Sequence, residues 1–301
     1  MIFTFSKIIP TALCALLLSA SSISALPPGS DAPGYDNQIR WQKLPEWQIN
    51  SGAIDMVHSL GGRRLYVLTD RKEVKIFGDE TSTQGQLLGT IPVASGMDKI
   101  DISPDGSTVY LLNSKSGAVN ELSVTFHKDF DLATTPMKGD KNAPVSIVVF
   151  TDFQCPFCNK LPPVLDEVLQ RNKGKVNLYF KNMPLITIHP QAENAARAVV
   201  AAGDQGKFWE MHDLLFNSDS LDSETIEGFA KKLNLDIERF EEDVTSNETT
   251  NKLRADLMEG QLNGVNGTPS IFIDGWPLGN RSLEGFQTMI DSILKEKKHS
   301  V

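Results

Sequence analysis

The stretch "VSIVVFTDFQCPFCNKLPPVL", residues 145–165, joins an apolar run, two cysteines separated by two residues, and a helical pattern interrupted by prolines. An apolar run of this length without alternation predicts a strand that is buried on both faces. A second apolar run, "VNLYF" at residues 176–180, follows the helical segment. Two strands separated by a helix predict a βαβ unit with parallel strands. The stretch therefore predicts an α/β domain.

The predicted domain continues with helices and closes with a short hairpin. "SIFID" at residues 270–274 and the following "GWPLG" predict a strand and a turn, and residues 283–295 predict an amphipathic final helix. A βαβ unit, a helical insertion, and a closing hairpin with a helix resemble the thioredoxin-like fold. Four helices are predicted for the insertion: Gln191–Ala202, Lys207–Phe216, Ser223–Leu233 and Glu248–Leu262.

The two cysteines have the spacing of a redox-active dithiol. We expect Cys155 at the N-terminus of the first helix, with Pro156 at the first helical position, where a missing N–H costs nothing. Unpaired N–H groups and the positive end of the helix dipole favour a thiolate there. Because the thiolate is the attacking species in disulfide exchange, Cys155 is the predicted nucleophile. Cys158 lies nearly one turn later on the same side and is the predicted resolving thiol.

Two other uses of the cysteine pair fit the sequence less well. A zinc site needs four ligands, and the five histidines of the chain show no ligand spacing that would complete one. A purely structural disulfide closing so short a loop would constrain the unfolded chain little. The interpretation as a redox-active dithiol requires no metal and no organic cofactor, since the Cys155–Cys158 disulfide is itself the reactive group.

Four motifs in order resemble the DsbA-like thioredoxin family over residues 145–294: "FTDFQCPFCNKLPPVL", "HPQAENAARAV", "QGKFWEMHDLLF" and "VNGTPSIFIDG". The resemblance implies that Cys155 is the nucleophile and Cys158 the resolving thiol. It also implies that Pro269 is a cis-proline packed against the dithiol, and that the backbone of Thr268 pairs with a bound substrate strand. Thr268 and Pro269 are therefore candidate substrate-binding residues. Pro156 and Phe157, which lie between the cysteines, are two further candidates.

The chain departs from that family at two positions. Many relatives have a buried acid six residues before the first cysteine, where this chain has Val149, so another group must deprotonate Cys158. Asp152, at the predicted strand end, is a candidate proton acceptor, although a solvated strand-end acid is the more ordinary arrangement. Phe157 stands where strongly oxidising relatives have a histidine, which favours a less oxidising disulfide and resembles the periplasmic isomerases. His189, before Pro190, is expected to cap a helix.

A β-rich domain with an internal repeat is predicted for residues 27–128. "NSGAIDMVHSLGGRRLYVLTD" (50–70) aligns with "ASGMDKIDISPDGSTVYLLNS" (94–114) at a constant offset of 44 residues. The second copy resembles the YVTN-type propeller repeat, but two repeats are too few to close a propeller. The domain is thus either a small two-sheet module or a module for dimerisation or docking. Residues 129–144 are the predicted linker, and residues 145–298 the thioredoxin-like domain.

Residues 1–25 have the pattern of a secretory signal, with Lys7 before an apolar stretch that includes Cys14 and is too short to span a bilayer. Cleavage would leave only Cys155 and Cys158, in an exported and disulfide-permissive compartment. It would also change the formal charge from -9 to -10, because the segment holds one lysine and no acid.

The acidic balance and the lack of a basic run exclude nucleic acid as an expected partner. The expected partners are exported cysteine-containing proteins, a membrane redox partner, and a second copy bound through the β-rich domain. The predicted function is an exported thiol–disulfide oxidoreductase, acting as an isomerase, a reductase or a moderate oxidant. The alternative is a dedicated redox adaptor whose β-rich domain binds one partner.

Overall fold

The structure is a computed structural model that describes residues 46–60, 63–78 and 84–299, and the backbone of residues 34–36 and 39–41. The predicted signal segment lies outside the described residues. Contacts divide the chain into two units, with the boundary between Leu122 and Ser123.

In the residues that the structure describes, the first unit has β-strands in three sheets. A bond between the side chain of Tyr66 and the carbonyl oxygen of Gly106, 2.9 Å long, joins the two larger sheets, and Asp55 Oδ2 accepts a bond from the Ile100 N–H at 3.2 Å. The antiparallel pair is β1 (Gly34–Asp36) and β2 (Ile39–Trp41); the four-stranded sheet is β3 (Ala53–His58), β4 (Arg64–Thr69), β5 (Glu73–Gly78) and β6 (Leu87–Pro92); the three-stranded sheet is β7 (Lys99–Ile102), β8 (Thr108–Asn113) and β9 (Ala118–Ser123).

The 44-residue offset of the sequence repeat recurs in the strands. β4 and β8 begin 44 residues apart, and each is the second strand of its sheet. The sheet that contains β4 has four strands, whereas the sheet that contains β8 has three in the described part of the chain. The prediction of a β-rich region is confirmed, and the propeller-type repeat stays a prediction.

The second unit has the thioredoxin-like α/β fold, as predicted. Its sheet has the order β10-β12-β11-β13-β14, in which β11 and β12 are parallel and every other pair is antiparallel. The elements are β10 (Met137–Gly139), β11 (Val145–Thr151), α1 (Pro162–Arg171), β12 (Val176–Asn182), α2 (Ala192–Asp204), α3 (Phe208–Phe216), α4 (Ser223–Lys232), α5 (Ile237–Thr245), α6 (Asn247–Leu262), β13 (Ser270–Ile273), β14 (Trp276–Pro277) and α7 (Leu283–His299).

Strand β11 is the centre of this sheet and is covered on both faces. Ile147 and Val149 pack with residues of α1 and α7, while Val148 and Phe150 belong to a separate cluster on the opposite face. Because both faces are buried, the strand needs apolar side chains at successive positions rather than alternate ones. This requirement explains the unbroken apolar run in the sequence.

The insertion holds one helix that the sequence prediction missed. Helix α5 begins after Asp236, whose side chain accepts a bond from the Arg239 N–H at 3.1 Å. Phe240 is buried, and Ile237 and Val244 pack against the same cluster. The helix has only nine residues, but its apolar residues Ile237, Phe240 and Val244 have the spacing of one helical face. This spacing and the N-capping aspartate could have indicated it.

The segment predicted as a linker, residues 129–144, is instead part of the second unit. Phe130 packs against Phe150 and Phe272 with ring centroids 5.7 and 4.8 Å apart, and β10 pairs with β12. The polar and glycine-containing composition indicated a hinge, but a short edge strand has the same composition. No local pattern in the sequence indicates the contacts made by Phe130.

The packing of Phe130 predicts a loss of stability that a free linker would not show. Phe130→Ala should lower the free energy of unfolding of the second unit by about 2 kcal/mol, because it removes about half of a buried ring's contribution. Amide hydrogen exchange in β11 and β13, followed in the full chain under increasing urea, measures this. Lys141→Ala, at an exposed position of the same segment, should leave the free energy of unfolding unchanged. If Phe130→Ala lowers this free energy no more than Lys141→Ala does, the segment is a free linker.

Candidate active site

Cys155 and Cys158 lie in a tight turn that follows β11. The Cys155 N–H donates to the carbonyl oxygen of Asp152 at 3.1 Å, and the Asn159 N–H donates to that of Cys155 at 3.1 Å. The predicted placement of Cys155 at the start of the helix needs correction, because α1 begins only at Pro162. Pro162 and its neighbour Pro163 lack the N–H groups that would extend the helix back to Cys158. Cys155 therefore precedes one isolated helical turn.

The two thiols differ in their exposure to solvent. Both cysteines are free thiols, and Cys155 retains an exposed fraction of 4% whereas Cys158 has 0%. Cys155 Sγ lies 3.5 Å from the carbonyl oxygen of Thr268. A substrate can therefore reach only the first sulfur.

The surroundings shift the two pKa values in opposite directions. Burial raises the pKa of Cys155, but the Thr268 hydroxyl and the N–H groups of Cys158 and Phe157 outweigh it, and the pKa lies below its ordinary value. Burial raises the pKa of Cys158 to about 12. Cys155, the more accessible sulfur, is therefore the first of the two to ionise as the pH rises.

The loop before β13 completes the surroundings of the dithiol. The peptide bond between Thr268 and Pro269 is cis, and Pro269 is buried. The Thr268 hydroxyl has no partner in hydrogen-bond geometry among the described residues, but it can rotate toward either sulfur once a thiolate forms. Pro156 is exposed, and Phe157 has an exposed fraction of 67%. All the residues suggested by the sequence as thiol or substrate contacts thus lie in the dithiol turn or in this loop.

Asp152 is buried, with 1% of its surface exposed, and is not a solvated strand-end acid. Its Oδ1 accepts a bond from the Gln154 N–H at 2.7 Å. Its Oδ2 lies 2.7 Å from the Leu185 N–H and 2.8 Å from His189 Nδ1. The sequence suggested that His189 caps a helix. Its side chain instead contacts Asp152. These bonds fix the loop 183–190 beside the dithiol turn.

The loop fixed by Asp152 presents apolar side chains to solvent. Ile186 and Ile188 have exposed fractions of 58% and 67%. Sequence reasoning missed this loop, because its anchor joins residues 33 to 37 positions apart and leaves no local pattern. The signal that could have drawn attention to it is the pair of isoleucines in a segment bounded by Pro184 and Pro190.

Helix α3 packs against the sheet through the apolar side chains of one face. Phe208, Met211 and Leu215 are buried, and Trp209 is partly buried against the same core. His212, on the same buried face, was not distinguished from these apolar neighbours in the sequence. Its side chain is 8% exposed.

No group of three or more His, Cys, Asp or Glu side chains in the described ranges is arranged to hold a metal ion. Within the same ranges, every helix is too short or too polar to cross a membrane.

The sheet order, together with a dithiol turn facing a Thr-Pro loop, defines a thioredoxin-fold dithiol protein. Residues 131–292 match the family model described as Thioredoxin, which is more than half of the chain. The chain is 32% identical over 205 residues to a probable disulfide bond formation protein D from Bacillus anthracis, covering 64% of this chain and 90% of that protein. The chain therefore belongs to the DsbA-like thioredoxin-fold family.

Two further comparisons each cover about half of the chain. It is 37% identical over 140 residues to the Na(+)/H(+) antiporter NhaA 1 of Salinispora arenicola, which is 46% of this chain and 21% of that protein. The chain thus spans about a fifth of that relative's length. The crystal structure of a thioredoxin-like oxidoreductase from Silicibacter pomeroyi DSS-3 has a TM-score of 0.50 and 25% identity, covering 54% of this chain and 94% of that one.

The opposite pKa shifts predict a selective reaction at Cys155. Alkylation of the reduced protein by iodoacetamide should be confined to Cys155 near neutral pH and reach half its maximal rate below pH 9.0, the ordinary thiol value. The rate rises with pH because only the thiolate reacts. Thr268→Val should move this midpoint upward, since it removes a hydroxyl that stabilises the thiolate. Mass spectrometry of the alkylated peptide identifies the residue; equal labelling of both cysteines would contradict the assignment.

The contacts of Asp152 predict a structural penalty for a nearly isosteric change. Asp152→Asn should lower the free energy of unfolding by about 1–3 kcal/mol, because an amide group cannot accept all three bonds and leaves a buried N–H unpaired. Urea unfolding of the full chain measures the loss. Asp291→Asn, at an exposed position, is the matched control and should change little. A penalty no larger than that of the control would mean that the loop is held by other contacts.

Proposed function

We propose that this chain is an exported thiol–disulfide oxidoreductase that exchanges disulfides with cysteine-containing proteins through Cys155 and Cys158. The observation that carries the proposal is the inequality of the two thiols. Cys155 keeps some exposure and a lowered pKa, whereas Cys158 is buried and its pKa is raised to about 12. A structural disulfide needs no such difference, but a nucleophile with a resolving partner does.

The exchange reaction follows from this inequality. In the reductive direction, the Cys155 thiolate attacks a substrate disulfide, forms a mixed disulfide, and releases one substrate thiolate. Cys158 then loses its proton and attacks the Cys155 sulfur. The mixed disulfide breaks, the second substrate thiolate leaves, and the Cys155–Cys158 disulfide forms. The substrate gains two electrons and the protein loses two; the oxidative direction is the reverse sequence.

A substrate would approach Cys155 across the surface formed by Thr268 and Phe157. The carbonyl oxygen of Thr268, 3.5 Å from the Cys155 sulfur, supports a role in pairing with an extended substrate segment. The exposed ring of Phe157 and the side chains of Ile186 and Ile188 supply apolar contact area. Such a surface suits unfolded or loosely folded clients, whose apolar side chains are accessible.

The direction of exchange depends on how strongly the Cys155 thiolate is stabilised. Phe157 contributes its backbone N–H to the thiolate, but its uncharged side chain offers no ion pair. A disulfide without such a pair should be less oxidising than that of DsbA. We therefore propose isomerisation, reduction or moderate oxidation, with a membrane redox partner that resets the dithiol. Export is supported by the pattern of residues 1–25 and by the minimal cysteine count that follows it.

A second candidate function is that of a dedicated redox adaptor, with the first unit as a docking or dimerisation module. The support is a set of exposed apolar side chains on its strands, Met56, Leu87 and Val119 among them, with exposed fractions of 62%, 49% and 57%. A groove of about 550 Å³ lies in the same unit and is lined by residues from both larger sheets. Sedimentation at micromolar concentration tests the dimer; a monomer would count against it.

A trapping experiment tests the proposed exchange and separates the two functions. Cys158→Ala should accumulate mixed disulfides between Cys155 and its substrates, because the resolving thiol is missing. Cys155→Ala is the matched control and should trap none. Diagonal electrophoresis and mass spectrometry of cell extracts would identify the trapped proteins. Many clients support a general catalyst and a single client supports an adaptor, while equal trapping by both variants would contradict the exchange mechanism.

A further inference from the structure

The proton on Cys158 presents a chemical problem that the dithiol turn alone does not solve. The thiol is fully buried, and its pKa is raised to about 12, yet it must ionise to attack a mixed disulfide. Val149 occupies the position from which a carboxylate could have taken this proton. The two oxygens of Asp152 already accept three bonds that hold the loop 183–190. A different group must therefore carry the proton.

A small cavity behind the dithiol brings such a group to Cys158. It offers about 20 Å³ to water, and its lining includes Cys158, Thr151 and His212. This is enough room for one water molecule. The Thr151 hydroxyl is buried and has no hydrogen-bond partner among the described residues. An unpaired buried hydroxyl on a residue that lines a cavity of this size favours an ordered water as its partner.

The imidazole of His212 is oriented so that one nitrogen can act as a base. Its Nδ1 lies 2.8 Å from Asp213 Oδ1, and this bond lowers the pKa of the Asp213 carboxyl. An ionised carboxylate only accepts hydrogen bonds, so Nδ1 carries the proton in the neutral imidazole. Nε2 then keeps its lone pair. The rings of Phe180 and Phe216 lie 5.1 and 4.8 Å from the imidazole, between centroids, and restrict its orientation.

The cavity also connects to charged groups that reach solvent. Lys138 on β10 and Asp166 on α1 line it and form an ion pair of 2.8 Å, with side-chain exposed fractions of 37% and 61%. Asp213 lines it as well and is 57% exposed. These three groups and Cys158 are the titratable side chains that line the cavity with His212. A proton that reaches the imidazole can therefore leave toward solvent on the side of the ion pair.

We propose that His212 exchanges the proton of Cys158 through one water molecule in this cavity. As the Cys158 thiol attacks the Cys155 sulfur, its proton passes to the water, and the water gives a proton to His212 Nε2. The Cys155–substrate bond breaks, the substrate leaves as a thiolate, and the Cys155–Cys158 bond forms. The imidazolium then releases its proton to solvent. In the reverse direction, the imidazolium protonates Cys158 as it leaves.

This inference rests on the proposed function, so the test must report separately on Cys155 and on Cys158. The reduced full-length protein is mixed with Ellman's reagent, a small aromatic disulfide, in a stopped-flow instrument between pH 5 and 10. The Cys155 thiolate releases one coloured thiolate in a first phase. Cys158 then attacks the mixed disulfide and releases a second equivalent. The first phase tests the nucleophile, and the second phase tests the proton transfer.

The wild-type second phase should rise across the window in which histidine changes its charge, about pH 5 to 8, and then level off. In His212→Gln, it should be about 100-fold slower at pH 7, the lower end of the range for a general base. Its logarithm should also rise linearly with pH, because hydroxide alone would then deprotonate Cys158. The first phase should keep its wild-type rate.

Asp213→Asn gives an independent test, because Asp213 is exposed and its replacement does not endanger folding. Loss of the carboxylate makes the imidazolium less stable, so the second phase should slow and its rising window should move to lower pH. Glu210→Gln is the control on the same helix: Glu210 pairs with Lys207 and does not line the cavity. That variant should match the wild type in both phases.

Three results would overturn the inference. An unchanged pH profile of the second phase in both His212→Gln and Asp213→Asn, with a normal first phase, would exclude the histidine. If the second phase loses its plateau in Asp152→Asn but keeps it in His212→Gln and Asp213→Asn, Asp152 is the group that accepts the proton of Cys158. Absence of a Cys155-dependent first phase in the wild-type protein would instead contradict the proposed function itself, and the inference with it.

Discussion

The burial of the Cys158 sulfur is the constraint on which the rest of the site depends. Because the thiol has no exposed surface, it is held protonated at neutral pH, and the reactive thiolate is left to Cys155. In the proposed exchange, the same burial prevents a substrate from reaching the second sulfur, so that Cys155 attacks first. It also makes a route for one proton necessary. Reactivity, the order of the two steps and the need for a base thus follow from one desolvated atom.

The surrounding fold keeps that atom buried and the other accessible. Strand β11, packed on both faces, ends at the dithiol turn, and α1 begins only after this turn, at Pro162. Asp152, at the strand end, holds the loop 183–190 through bonds to Leu185 and His189. Helix α3 of the insertion closes the opposite side and places His212 along the cavity. The helical insertion therefore contributes a wall and a polar group to the site, in addition to its own core.

The sequence predicted the parts of this arrangement that depend on local pattern. The apolar run of β11, the dithiol spacing and the Thr268–Pro269 pair were recognisable because each is encoded within a few residues. The contact between Asp152 and His189 was missed because it joins positions 37 apart, which no local pattern connects. His212 was missed for a different reason: on a helix face among apolar residues it has the same spacing as the core. Its surroundings are determined by packing between α3 and the sheet, which no local pattern describes.

The reduction potential of the Cys155–Cys158 pair, equilibrated against glutathione, would show whether the dithiol can exchange disulfides with other proteins. A thiolate stabilised at Cys155 stabilises the reduced form, so the account predicts a potential between about -120 mV, as in DsbA, and about -270 mV, as in thioredoxin. Within that range, a value at the upper end would indicate an oxidant and one near -200 mV or below an isomerase or reductase. A potential below about -300 mV, the range of structural disulfides, would contradict a role in exchange.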